Sequence, residues 1–366
     1  MARHLIRFAF VTVLSIIVTA HPTLDQRDAA PSPENREEPI PSIFVVGLER
    51  DSPLTTDTPD PIQLSWLVLN TIKDMSEYAY VADIPVVNIK SKDVPGVAIG
   101  IRLAGGMDRL QTRIQMWALQ LCLQTLAPII NMQMISPRCR FGYNDGPPIR
   151  PGERPRWTRV LGHVVFLKTT SEEDQISPDV LNFDENAELE YWPYLNSTVE
   201  TSIGEDDPPS DLKYELVRED EMDEKNKDGE VNTPAKYTSS LSPPLNEDLV
   251  PAAYACSAVS FVIVAMASDT RPRDQDIDRG RTVRIRYEEG SVALKYQAHD
   301  KNEKAQSYEA WIKGLVSVIW KIRYKKEWKS YNFAIWRVAD EKNIIDGSIQ
   351  GYGLGKGTKD ESHSNR

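Results

Sequence analysis

The sequence predicts an α+β protein made of two ferredoxin-like (βαββαβ) two-layer sandwich blocks, related by internal duplication and joined by an acidic, disordered linker. Three observations carry that expectation. The same order of apolar patterns, helix, hairpin, helix and tryptophan-led strand, occurs twice. Between the two occurrences, residues 171–250 hold 23 Asp+Glu against 5 Lys+Arg, a net of −18, with 7 Pro. Finally, the 366-residue chain is 40% hydrophobic with a mean hydropathy of −0.43, too apolar for a wholly disordered chain and too polar for a polytopic membrane protein.

The first block opens with a short apolar run, Ile43 to Val46, after which Asp60-Pro61 marks a helix start, a capping carboxylate followed by proline at the first helical position. Ile62, Trp66, Leu69, Ile72 and Met75 then recur at helical spacing. Two alternating runs, Val87 to Lys90 and Val97 to Leu103, are joined by Asp93-Val94-Pro95-Gly96 and read as a hairpin. Asp108 is placed to cap a second helix bearing Leu110, Ile114, Trp117 and Leu121, with Pro128 limiting its end. A loop holding Cys139 leads to the strand from Trp157 to Lys168.

The second block repeats the order. A charge-free run follows Pro251. Val283, Ile285 and Tyr287 alternate with Arg284 and Arg286, and Val292, Leu294 and Tyr296 alternate back after a turn at Glu289-Gly290. Tyr308, Trp311, Ile312, Leu315 and Ile319 form a helical stripe, and Trp328 to Val338 closes the block. Laid on each other, the blocks place Trp117 on Trp311. The missing first strand of the second block has a candidate in Lys236 to Leu241. Leu249 to Ser268 is long enough to suggest a membrane span, but its Ala, Ser and Pro content favours a helix buried between two domains, so no span is expected.

The start of the chain has the pattern of a secretory signal: Arg3 and Arg7, then a 13-residue apolar stretch from Phe8 to Ala20 ending in small residues. The expected division is therefore signal 1–20, disordered segment 21–41, first α+β domain 42–170, acidic linker 171–248, second α+β domain 249–345 and flexible tail 346–366. Secretion favours disulfide formation. Of the three cysteines, Cys122 lies within an apolar helical run and reads as a buried hydrophobe, which leaves Cys139 with Cys256 as the expected bridge. Asn196-Ser197-Thr198 is an N-glycosylation acceptor.

Motifs of catalysis are absent. None of His21, His163, His299 and His363 sits in a metal-binding spacing, no G-x-S-x-G elbow occurs, and the glycines of the C-terminal tail do not fit a phosphate loop. No cofactor and no metal is implied. Period-2 alternation instead puts Lys90, Arg102, Arg284, Arg286 and Lys295 on the sheet faces turned away from the apolar residues, so those faces are expected to be basic. Nucleic acid is disfavoured as a partner, because neither GVAIGIRLAG nor GSVALKYQAH has the aromatic pattern of an RNA-recognition strand and the chain is acidic overall.

These readings imply a secreted, non-enzymatic interaction protein for an anionic extracellular partner. The alternative is a secreted hydrolase, which requires His163 or His299 beside a cysteine, serine or carboxylate. The linker, at −18, is also expected to screen the basic faces. Small-angle scattering at low and high salt tests that expectation: the chain should expand as salt screens the attraction, and an unchanged radius would remove it.

Overall fold

A computed structural model describes residues 40–41, 43–49, 60–90, 96–127, 138–144, 158–168, 199–202, 236–268, 281–287, 290–299 and 307–353. The signal, Asn196 and most of the acidic linker lie outside the described residues.

In chain order the first half contains β1 (Phe44–Glu49), α1 (Pro61–Met75), β2 (Asp83–Pro85), β3 (Asn88–Lys90), β4 (Val97–Leu103), β5 (Arg109–Gln111), α2 (Thr112–Leu126), β6 (Arg138–Tyr143) and β7 (Arg159–Lys168). The second half contains β8 (Val199–Ser202), β9 (Tyr237–Leu241), α3 (Ala252–Ser268), β10 (Arg281–Tyr287), β11 (Gly290–Ala298), α4 (Tyr308–Lys325), β12 (Tyr331–Arg337) and β13 (Lys342–Gly353). Strands β2 and β5 form a separate ribbon.

The halves form two sheets, ordered β1-β6-β7-β4-β3 and β8-β10-β11-β13-β12-β9, and every neighbouring pair is antiparallel. Matching β1 to β9, β3 to β10, β4 to β11, β6 to β12 and β7 to β13 makes the two orders identical apart from the added edge strand β8.

The helices α1 and α2 cover one face of the first sheet, and α3 and α4 cover one face of the second. The two helical layers then pack on each other, with α3 touching α1, α2 and α4. The result is sheet, helices, helices, sheet, around one continuous apolar core to which both halves contribute. The sequence of α3 explains its central place: Ala253, Ala255, Ser257, Ala258 and Ser260 are buried and allow close approach, while Val259, Val262 and Ile263 supply apolar area. No described helix is long and apolar enough to cross a membrane.

Local chemistry sets the ends of the helices. The Asp60 carboxylate accepts from the Ile62 amide at 2.8 Å, and Pro61 removes a donor that would otherwise lack a partner. Ser307 caps α4 through the Ala310 amide at 3.3 Å, and Glu309 in its first turn meets Lys236 and Lys313, each at 2.7 Å. Those two ammonium groups hold the Glu309 carboxyl below its ordinary value. Gly96, between β3 and β4, has φ 84°, the conformation that its turn requires.

Several expectations are corrected. The ferredoxin-like βαββαβ pattern gives one strand after the second helix, whereas each half here has two, β6-β7 and β12-β13, paired as hairpins. The first was hidden because Arg138 to Tyr143 read as a loop. The second was hidden because residues 346–366, with their glycines, read as a tail, although β13 is the longest described strand and lies inside its sheet. Helix α2 begins at Thr112 without a side-chain cap, and Asp108 instead accepts the Val86 amide through its backbone carbonyl at 2.9 Å. The second half starts before residue 249: β9 is its first strand, as Lys236 to Leu241 suggested, and β8 also falls within the expected linker. Trp117 and Trp311 occupy corresponding helices but different surroundings, the first edge-on to Phe44 of β1 and the second to Tyr296 of β11.

Glycine in β13 is a packing requirement. A methyl group at Gly347 would come within 2.3 Å of the Phe333 ring and 2.4 Å of the Lys295 carbonyl, whereas one at Gly353 would meet nothing within 4 Å. Gly347→Ala should therefore lower unfolding free energy by about 1–3 kcal/mol, and Gly353→Ala by far less, when read from denaturant midpoints.

Candidate functional site on the outer sheet faces

Because the helices are sandwiched in the middle, each sheet turns its other face away from them, and Arg140, His163, Val165, Ala293 and Asn332 on those faces are nonetheless buried. Register assigns the side chains to faces. In the second sheet, Val283, Ile285, Leu294 and Tyr296 are buried toward the helices. Arg284, Arg286 and Lys295 therefore lie on the outer face, as their alternation predicts. The pairing sets Thr282, Lys295, Ser348 and Asn332 in one row across four strands, with Glu200, Arg284, Ala293 and Gln350 in the next. Arg286 is exposed. The Arg284 guanidinium stands 5.5 Å from the centre of the Tyr352 ring, a cation–π distance, and burial raises the Tyr352 hydroxyl above its ordinary value. Trp336 adds a second ring near β9, where its indole N–H donates to Ser240 Oγ at 2.9 Å.

The first sheet has a matching arrangement. Arg102 on β4 faces away from Ile101 and Leu103, and its cross-strand neighbour is His163 on β7, itself opposite Arg140 on β6. One row thus reads Arg140, His163, Arg102, with cross-strand neighbours about 5 Å apart. Arg140 and His163 are buried, at 6% and 4% exposure, while Arg102 and Arg138 are half-buried. Lys90 pairs with Ala98, in the register of the same face. Sequence reasoning found Lys90 and Arg102 but missed Arg138 and Arg140. The signal was there: Arg138-Cys139-Arg140-Phe141 alternates with period two.

His299, at the end of β11, is the other notable polar group. Its Nδ1 lies 2.5 Å from Asp346 Oδ2, and Asn343 Nδ2 donates to the second oxygen of that carboxylate at 2.8 Å. In that contact Nδ1 donates to the carboxylate, which has no hydrogen of its own to give. No serine or cysteine is bonded to His299 among the described residues. His163 fares no better as a partner for Cys139, since they lie on adjacent strands but on opposite faces of the sheet. Among the described residues there is no group of three or more side chains able to hold a metal.

The expected Cys139–Cys256 bridge is not formed. All three cysteines are buried thiols, and Cys139, on the core face of β6, contacts Cys122 of α2 rather than Cys256 of α3. That contact lies within the first half, between α2 and β6, whereas Cys256 belongs to a helix of the second half. No protein-family model matches this chain, and no curated protein or solved structure matches it.

Burial pushes the Cys256 thiol up to about 12, with Arg323 opposing the shift. At pH 8 iodoacetamide should therefore alkylate Cys256 of the native protein on the order of a thousandfold more slowly than an ordinary cysteine. Labelling at the ordinary rate, read by peptide mass spectrometry, would contradict its burial.

Proposed function

We propose that this is a secreted, non-enzymatic interaction protein that binds an anionic extracellular partner on its outer sheet faces, and that its halves arose by internal duplication. The observation that supports the binding reading is the placement of Arg284, Arg286 and Lys295 together on one face, although the chain as a whole carries −11. Local accumulation of charge against the net sign favours a counter-charged ligand, and paired arginines suit carboxylate, sulfate or phosphate groups. The duplication is supported by the matching strand orders of the two sheets.

A secreted hydrolase is the second reading, and one observation favours it: the His299–Asp346 contact has the form of an oriented general base. It has no nucleophile beside it among the described residues, which places it behind the binding reading.

Heparin, a sulfated polysaccharide, serves as the probe. The protein should bind immobilised heparin at low salt and release it as ionic strength rises. Changing Arg284, Arg286 and Lys295 together to Gln should weaken binding by about tenfold or more while leaving the melting temperature nearly unchanged. Unaltered binding by the triple variant would reject this face as the site.

A further inference from the structure

The thiols of Cys122 on α2 and Cys139 on β6 are in hydrogen-bonding contact, and both residues are fully buried. We infer that these two cysteines are joined by a disulfide when the chain folds in an oxidising compartment, a covalent staple between α2 and β6. This rests on the export part of the reading above, and it names a different pair from the Cys139–Cys256 bridge that the sequence suggests.

The fold brings the pair together by its layout as well. Strand β6 runs between β1 and β7, and α2 packs on both of those neighbours, so the helix crosses β6. Cys139 stands in the register row Leu48, Cys139, Val164 and Ile101, every member of which is buried. Spacing agrees with this. Trp117 of α2 lies edge-on to Phe44, with ring centres 5.4 Å apart, and the Phe44 ring approaches Phe141 of β6 at 6.2 Å. Cys122 is five residues from Trp117 along the helix, about 7.5 Å, and Cys139 is two residues from Phe141 along the strand, about 7 Å, so nearly equal steps separate that aromatic contact from the two sulfurs. Cys256 sits on α3, where the charged neighbour of its thiol is Arg323 of α4, and it remains unbridged.

A small disulfide such as oxidised glutathione takes the electrons. One cysteine thiolate attacks it, forming a mixed disulfide and expelling a glutathione thiolate; the other cysteine thiolate then attacks the protein sulfur of the mixed disulfide and expels the second. One S–S bond forms and one breaks, the two cysteines are oxidised, the glutathione disulfide is reduced, and the two thiol protons end on the released glutathione. Burial fixes the timing, because it pushes the Cys122 thiol well above its ordinary value. A neutral thiol is a poor nucleophile, so the exchange takes place before the core closes over the pair. Closing the loop from residue 122 to residue 139 removes conformations from the unfolded chain and so favours the folded one.

Peptide mapping tests this on the wild-type chain, prepared both from the medium of a secreting eukaryotic host and by refolding in a mixture of oxidised and reduced glutathione. The protein is denatured in iodoacetamide without reductant and digested with trypsin. Residues 114–138 should emerge joined to residues 139–140, two hydrogens lighter than the separate peptides together, and the peptide carrying Cys256 should emerge alkylated. The oxidised protein should melt about 5–15 °C above protein refolded fully reduced. Cys256 joined to either of the other cysteines overturns the inference, as does an oxidised form that melts no higher than the reduced one. Three alkylated thiols in the secreted protein overturn the bridge and leave export standing. If the chain never reaches the medium, export is overturned instead, and the refolded preparation decides the bridge by the same readout.

Discussion

Burial of α3 is the constraint on which the rest of the structure depends. A helix with apolar or small residues on nearly every side cannot lie on a single sheet, because its other side would face water. Here one side of α3 packs on β10 and β11 and another on α1 and α2, so the halves cannot be two sandwiches connected only by a linker. Polar groups add specificity to that interface. Gln120 of α2 donates to both the carbonyl and the hydroxyl of Ser257, each at 3.1 Å, and Arg323 of α4 donates to Gln63 of α1 at 2.7 Å while lying over Trp66. A buried amide left without such a partner would cost about 1–3 kcal/mol, which disfavours slipped arrangements of the two helical layers.

Much of this was legible in the residues, for identifiable reasons. The pattern of α1 announced itself through Asp60-Pro61 and its apolar repeat, and the hairpins β3-β4 and β10-β11 through strict alternation. The charge-free run that became α3 could have signified a lipid span or a buried helix. Its alanines and serines pointed to the second, since helix–helix contact rewards small side chains. What escaped was pairing that depends on distant partners. Lys342–Gly353 has three glycines and from residue 346 onward reads as a flexible terminus, yet Gly347 and Gly351 lie where Phe333 and the Leu249 carbonyl leave no room for a side chain. A glycine that marks a tail in isolation marks close packing once the neighbouring strand is present.

The outer faces were legible to the extent that alternation fixes orientation. Arg102, Arg284, Arg286 and Lys295 needed only their apolar neighbours to be assigned to a face. Alternation says nothing about which strands become neighbours, so the row Arg140, His163, Arg102 appears only once β6, β7 and β4 are placed side by side. The cysteines show the same limit. Eliminating Cys122 as a buried hydrophobe was sound as far as it went, since it is fully buried, but Cys139 is equally buried and lies beside it. Burial of one thiol carries no information about the partner of another.

The arrangement separates the residues that hold the protein together from those that meet its surroundings. Packing occupies the interior, where helices from both halves meet and where Phe141, Phe333, Tyr331 and Trp311 are fully enclosed. Buried lysine is tolerated there only with acceptors supplied: Lys321 of α4 donates its ammonium to the Ser239 carbonyl and reaches Thr238 Oγ1 at 3.5 Å. The outer sheet faces carry a different load. Their side chains alternate with core residues on the same strands, so each arginine rises from a backbone that the interior has already fixed. An exposed charge such as Arg286 can change without opening a cavity, whereas a change at the buried Arg140 or on the inner face disturbs packing.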